Sequence, residues 1–211
     1  LQGQDELKEL GRRVIPAVVA ELNKKETKPA VKRALCEVLG GLRDPNKDAV
    51  AALKAKLGDS DEYGVSIAAA AARSLVAIGD DSVAPALLEI LKGKNVDSDR
   101  ALKYESIRAM GVFRVADAVE LLRKALEDKK PASAGDNDDA PLIASAAADA
   151  LGLIRAQASV DDLAGKLGDA TNDPATGQSL GVHAARALQR VLEHELRGKT
   201  AKDEIRAGVL A

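Results

Sequence analysis

The sequence predicts an all-α chain built as a solenoid of about five stacked helix pairs, and three observations carry that prediction. First, one apolar triplet recurs: Val50, Leu53 and Leu57; Ala84, Leu87 and Leu91; Val119, Leu122 and Leu126; Val160, Leu163 and Leu167. Its middle leucines are spaced by 34, 35 and 41 residues. A sustained period in that range marks stacked units, because one helix pair cannot bury its apolar face alone. Second, a small-residue triplet repeats independently: Val38-Leu39-Gly40, Ser74-Leu75-Val76, Ala109-Met110-Gly111, Ala150-Leu151-Gly152 and Ala187-Leu188-Gln189, in steps of 36, 35, 41 and 37. Helices approach to about 8 Å only where the facing side chains are small. Third, the chain of 211 residues is 46% hydrophobic but only 1% aromatic, with no Trp and a single Phe113. A compact globular core of this length would normally contain several aromatics; stacked helices of Ala, Leu and Val need none.

Taken in order, residues 5–22 begin the array, with Leu7, Leu10, Val14, Val18 and Leu22 at helical spacing. Pro16 falls where Pro85 falls in the clearest copy, early in a helix, where a missing N–H is harmless. The whole chain, 1–211, reads as a single solenoid: 1–28 an N-terminal cap or degenerate repeat, 29–197 the repeats, 198–211 a C-terminal tail or capping helix. Pro29 starts a helix whose amphipathic set is Val31, Ala34, Leu35, Val38, Leu39 and Leu42. Asp44-Pro45 ends it, since a residue before proline leaves the α region. A helix over 48–57 closes on Gly58-Asp59. The alanine-dense stretch 66–78 strongly favours helix, and Asp81 or Ser82 caps its partner.

Ser98 or Asp99 caps the next helix, which carries Leu102, Ile107, Met110 and Phe113 and pairs with 115–126. The pair 142–154 and 160–167 follows, then 181–196, with 202–210 supplying the last partner. Three longer loops, 93–99, 129–141 and 168–180, all join one pair to the next. Insertions confined to one edge of a stack mark a binding rim, or simply fall where added loop length costs least.

The run Ala-Leu-Gly-x-Leu/Ile, followed by Ala-Val-x-x-Leu-x-x-x-Leu-x-Asp, resembles the HEAT repeat in its short bacterial form, from about Ile15 to Leu196. The resemblance implies a right-handed α-solenoid of HEAT-type pairs whose second helices line the concave side. It implies binding as the work and leaves the partner open. With Val50, Leu53 and Leu57 inward, Ala52 and Ala55 lie opposite on their helix. The matching positions are Ala86 and Glu89, Leu121 and Lys124, and Asp162 and Gly165. Ala52, Ala55, Ala86, Glu89, Leu121, Lys124 and Asp162 are therefore the candidate partner-binding set. Such a floor suits an approaching helix or extended peptide, although alanine there also just favours helix.

The expected function is a non-catalytic, monomeric scaffold that binds another protein or peptide through the concave helices and the loop rim. The short repeats are also similar to those of phycobilin lyases. That similarity implies the alternative, an accessory subunit or lyase-like enzyme acting on a protein-bound cofactor. A spacer within a longer chain is a third reading.

Several chemistries are disfavoured. With 31 Lys and Arg against 33 Asp and Glu, no single-signed field recruits nucleic acid or anionic lipid. Lone Cys36, on an apolar face, excludes an intramolecular disulfide and a cysteine-based zinc site. No run reaches the ~18 apolar residues of a membrane span. Di-iron hydroxylases of HEAT type carry several His-Glu pairs; this chain has His183 and the single pair His194-Glu195. HEAT-like DNA glycosylases need a basic groove and aromatics. The acidic run 135–139 resembles a calcium loop but has Pro141 and Ala147 where the loop's glycine and glutamate belong. Gly177 and Gly181 precede no phosphate-loop Lys-Ser/Thr, and no Ser-His-Asp set follows from spacing. No metal or cofactor is expected. The chain begins at Leu1, so its location reads as cytoplasmic by default and exported if a leader preceded that residue.

Overall fold

The computed structural model describes residues 2–59, 66–93, 96–132 and 140–209. The acidic run 135–139 lies outside them. The chain is all-α: α1 Gln2–Leu22, α2 Pro29–Leu42, α3 Lys47–Lys56, α4 Ile67–Ile78, α5 Ala84–Lys92, α6 Arg100–Val112, α7 Val119–Ala125, α8 Ile143–Ile154, α9 Val160–Gly165 and α10 Leu180–Val209. One two-stranded hairpin, β1 Asn172–Asp173 and β2 Gln178–Ser179, interrupts the pattern. The chain divides into two compact units, Leu1–Ala109 and Met110 onward. In the first, α1 packs on α2 and α3, and both of these pack on α4. In the second, α7 packs on α8, and α8 and α9 pack on α10.

Local chemistry places most helix ends. Asn46 caps α3 by accepting from the amides of Asp48 and Ala49, and Ser66 caps α4 by accepting from Ala69 at 3.0 Å. Asp99, one of the two expected caps, accepts from the Leu102 amide at 2.8 Å and also takes the Ser66 hydroxyl at 2.6 Å. At the turn before α5 the cap is Asp80 rather than Asp81 or Ser82; its carboxylate accepts from the Ser82 amide. A single 3-10 turn, Asp81–Val83, Ala116–Ala118 or Gln157–Ser159, leads into α5, α7 and α9 respectively. The N-terminus of α8 has no side-chain cap of its own. Its first amides are satisfied by neighbours: Leu142 by the Asp173 carboxylate, Ile143 by the Lys130 carbonyl and Ala144 by the Asp128 carbonyl.

The repeated small residues meet as their spacing predicts. A Cβ placed on Gly40 would sit 2.7 Å from the Ser74 backbone; on Gly111, 2.7 Å from that of Ala150; on Gly152, 2.7 Å from that of Ala187. The third residue of one triplet thus packs on the first residue of the next. Ser74 uses the closeness to donate its hydroxyl to the Cys36 carbonyl at 2.7 Å. The leucines Leu53, Leu87, Leu122 and Leu163 are all fully buried.

Several expectations are corrected. Pro16 lies well inside α1, not at its start, because the helix begins at Gln2. The buried face of α1 passes through Ile15 and Leu22, leaving Val14 40% exposed, one residue off the expected stripe. Leu167 is 51% exposed because α9 ends at Gly165 and the chain has already turned. The last helix does not break near Leu196; α10 continues through Gly198 to Val209, since one glycine without a proline or cap does not stop a helix. Neither α2 nor α3 ends on the signal expected. Arg43 in the left-handed region closes α2, and Leu57 closes α3.

Two outcomes test this packing. Leu87→Ala should lower unfolding stability by ~2–5 kcal/mol in denaturant melts, the usual cost of a large-to-small change at a closed site. Gly152→Ala should destabilise by about 1–3 kcal/mol, because its methyl group meets backbone. The same substitution at Gly41, where a Cβ meets nothing within 4 Å, should instead stabilise by up to about 1 kcal/mol.

Candidate partner-binding surface

The expected binding column lies on the second helices α3, α5, α7 and α9, and the structure divides its members. Ala55, Ala86, Glu89 and Lys124 are exposed. Leu121 and Asp162 are half-covered. Ala52 is buried at 6% exposure and is corrected: it faces the core. The buried residues of α3 are Ala49, Ala52 and Leu53, with Leu57 just beyond, an i, i+3, i+4, i+8 stripe. That stripe is centred one residue earlier than a Val50-Leu53-Leu57 face, so position 52 turns inward. In α5 the corresponding set is Ala84, Leu87, Leu88 and Leu91, which leaves Ala86 and Glu89 outside.

In the first unit the exposed faces of α3 and α5 therefore present small residues, Ala55 and Ala86, beside Glu89. Glu89 pairs with Lys92 at 2.8 Å, an exposed i, i+3 pair of little energetic weight. In the second unit Asp162 is not free to meet a partner, because it pairs with Arg123 of α7, which also holds Glu120 at 2.8 Å. Hydrogen bonds donated to both carboxylates keep the Arg123 guanidinium protonated beyond its already high range. Asp162 thus ties α9 to α7, while Leu121 and Lys124 remain on the outward side of α7.

The expected rim at 168–180 is ordered by specific ties. Asp173, 1% exposed, accepts from the amides of Leu142 and Ala175. His183 of α10 is also buried, with Nδ1 2.9 Å from Asp149 of α8 and Nε2 3.1 Å from the Thr176 hydroxyl in the hairpin turn. Here folding assembles an Asp-His-Thr line that spacing had not suggested. The Thr176 oxygen also accepts from the Gln178 amide at 3.3 Å, so the line works as a strut between α8, α10 and the hairpin. Lys129 Nζ reaches Asp169 at 2.6 Å and joins this rim to the preceding junction loop.

Asp149 and His183 stand in the same repeat relation as Arg73 of α4 and Glu105 of α6. Glu105, 1% exposed, is held between Arg73 at 2.7 Å and Arg108 at 2.8 Å. The separations of 34 and 32 residues each fall about one helical turn short of the local repeat step. The two pairs share this spacing, but spacing alone marks neither as a contact until the helices pack. Cys36 is buried, and desolvation pushes its thiol up to about 12, which keeps it neutral and unreactive. His194 and Glu195 are respectively exposed and half-exposed on α10. No described helix is long and apolar enough to cross a membrane.

Residues 15–101 match the family model of HEAT repeats, which covers α2 to α5 and the facing parts of α1 and α6. No curated protein matches the chain.

The rim has a pH signature. Hydrogen bonds from Lys129 and then from the Thr171 hydroxyl and amide hold the Asp169 carboxyl well below the usual carboxylate range. A depressed folded pKa stabilises above the unfolded value of ~3.9, and the stabilisation is lost as pH falls from there through the folded value. Asp169→Asn should therefore melt below the parent at pH 7. The difference should hold down to about pH 5 and shrink below about pH 4.

Proposed function

Because residues 15–101 match the family model of HEAT repeats, a class that commonly mediates protein–protein interaction, we propose that the chain is a non-catalytic scaffold. It binds another protein, acting as a monomer, through the outward faces of its second helices. The single observation behind this reading is the outward side of those helices. Ala55, Ala86 and Glu89 in one unit, and Lys124 in the other, face solvent rather than a neighbouring helix. Small exposed side chains on a helical surface let a partner helix or extended peptide approach closely.

Leu121 is the anchor of that surface. It is only half-covered by its own unit, and an apolar side chain of a partner completes its burial. Central apolar anchors dominate interface energetics, whereas peripheral charges act chiefly on association rate. The ordered rim of 168–180, braced by Asp173 and His183, gives the partner a firm edge.

The test is affinity capture of the partner with the parent protein, Leu121→Glu and Lys124→Glu, each checked by thermal melting. Leu121→Glu should abolish capture while its melting temperature stays within a few degrees of the parent. Lys124→Glu should slow association and leave dissociation nearly unchanged. Unchanged capture by Leu121→Glu would remove the second-helix face as the binding surface.

A further inference from the structure

One backbone position recurs in each of four repeats, three residues after the small-residue triplet ends: Arg43, Gly79, Arg114 and Arg155. All four are left-handed, with φ of 50°, 83°, 53° and 62°. In each case the amide bonds to the carbonyl of the triplet's last residue, Gly40, Val76, Gly111 or Gly152. This is where a helix turns toward its partner, and glycine is the residue that enters that region without a steric penalty. An arginine there is strained, and nothing in its backbone hydrogen bond requires a guanidinium. The reason for arginine must lie in what its side chain does.

Two of the three strained arginines share one cleft. Arg114 and Arg155 line a depression of about 270 Å³ in the second unit, together with Gly152 and Leu153 of α8 and Arg190, His194 and Arg197 of α10. Glu193 is the one carboxylate in its wall, and it accepts from Gln189. Arg190 has Asp149 3.7 Å away. The guanidinium groups of Arg114, Arg155 and Arg197 have no carboxylate or hydrogen-bond partner among the described residues. In a chain whose acidic residues outnumber its basic ones, 33 to 31, this gathers uncompensated positive charge in one place.

We infer that this cleft is a receptor for an acidic peptide segment, whose carboxylates are gripped by the free guanidinium groups while an adjacent apolar side chain rests on Leu153. Guanidinium forks match carboxylates in paired, charge-assisted hydrogen bonds. The volume admits one or two side chains and is small for a nucleotide or large cofactor. Its lining contains no Phe, Tyr or Trp, and the imidazole of His194 is the one ring on which a base could stack. The cleft is built from the ends of the first helices and from α10, so it is separate from the second-helix surface proposed above.

The test is fluorescence anisotropy with a labelled peptide of alternating glutamate pairs and leucines, run at low and at physiological salt. The parent should bind it, and the affinity should fall as salt screens the contact. Arg114→Gly and Arg155→Gly should each weaken binding by about tenfold. Neither should melt lower than the parent, because glycine relieves the left-handed backbone. Arg43→Gly removes the same charge from the same kind of position outside the cleft and should leave binding unchanged. Arg197→Ala, on an exposed helix face, should weaken binding without touching any turn. Lys124→Glu should have no effect on this peptide, which keeps failure here distinct from failure of the second-helix surface. The inference is overturned if the parent does not bind at low salt, if Arg43→Gly matches Arg155→Gly, or if a single-stranded oligothymidylate binds more tightly than the peptide.

Discussion

The structure depends on the contact between a glycine at the end of one first helix and a small residue in the next. At Gly40–Ser74, Gly111–Ala150 and Gly152–Ala187 the backbones come so near that a single methyl group would collide. Close packing of this kind is all or none: the helices either sit at that separation or move apart and open a gap. Once the separation is set, the leucine layers follow, and Leu53, Leu87, Leu122 and Leu163 close completely without aromatic bulk. Between α4 and α6 the corresponding residue is Val76, so no glycine contact forms there. That junction carries the buried Glu105 between two arginines instead.

Polar pairs do a different job from the apolar layers. A buried carboxylate such as Glu105 is costly to desolvate and adds little net stability, but it has only one arrangement in which its bonds are made. The same holds for His183 between Asp149 and Thr176, and for Asp173 at the start of α8. In the second unit these bonds convert a polar insertion into a braced hairpin. An insertion that would otherwise sample many conformations becomes a defined edge, and a defined edge loses less entropy when a partner settles on it.

The two proposed surfaces differ in physics. The second-helix faces are small-featured and weakly charged, so they depend on shape and on one apolar anchor. The cleft beside α10 is a concentration of like charge with a small apolar floor, so it depends on electrostatic complementarity. Repeated helix pairs can carry both because each helix is satisfied by its neighbours, which leaves the outward positions free to vary.

Local regularities were enough to read the helices, the repeat step, the small-residue contacts and the leucine layers from the sequence. Each of these follows from spacing along one helix and recurs in most copies. The exact facing of short helices was not legible. Ala52 turned inward and Leu167 outward because the helix ends shifted by one or two residues, and one residue is 100° of rotation. Nor were the Asp149–His183–Thr176 strut, the Arg123–Asp162 tie and the arginine cleft. The members of the strut and the tie lie 7 to 39 residues apart in sequence, those of the cleft up to 83, and they become neighbours only when whole helices pack. The residues on α10 that complete the cleft carried no mark of their own, since an arginine on an exposed helix face looks like ordinary solvation until two strained arginines from other repeats stand opposite it. Periodicity belongs to the sequence; the meeting of unlike side chains across repeats belongs to the tertiary structure, because only packing sets those distances.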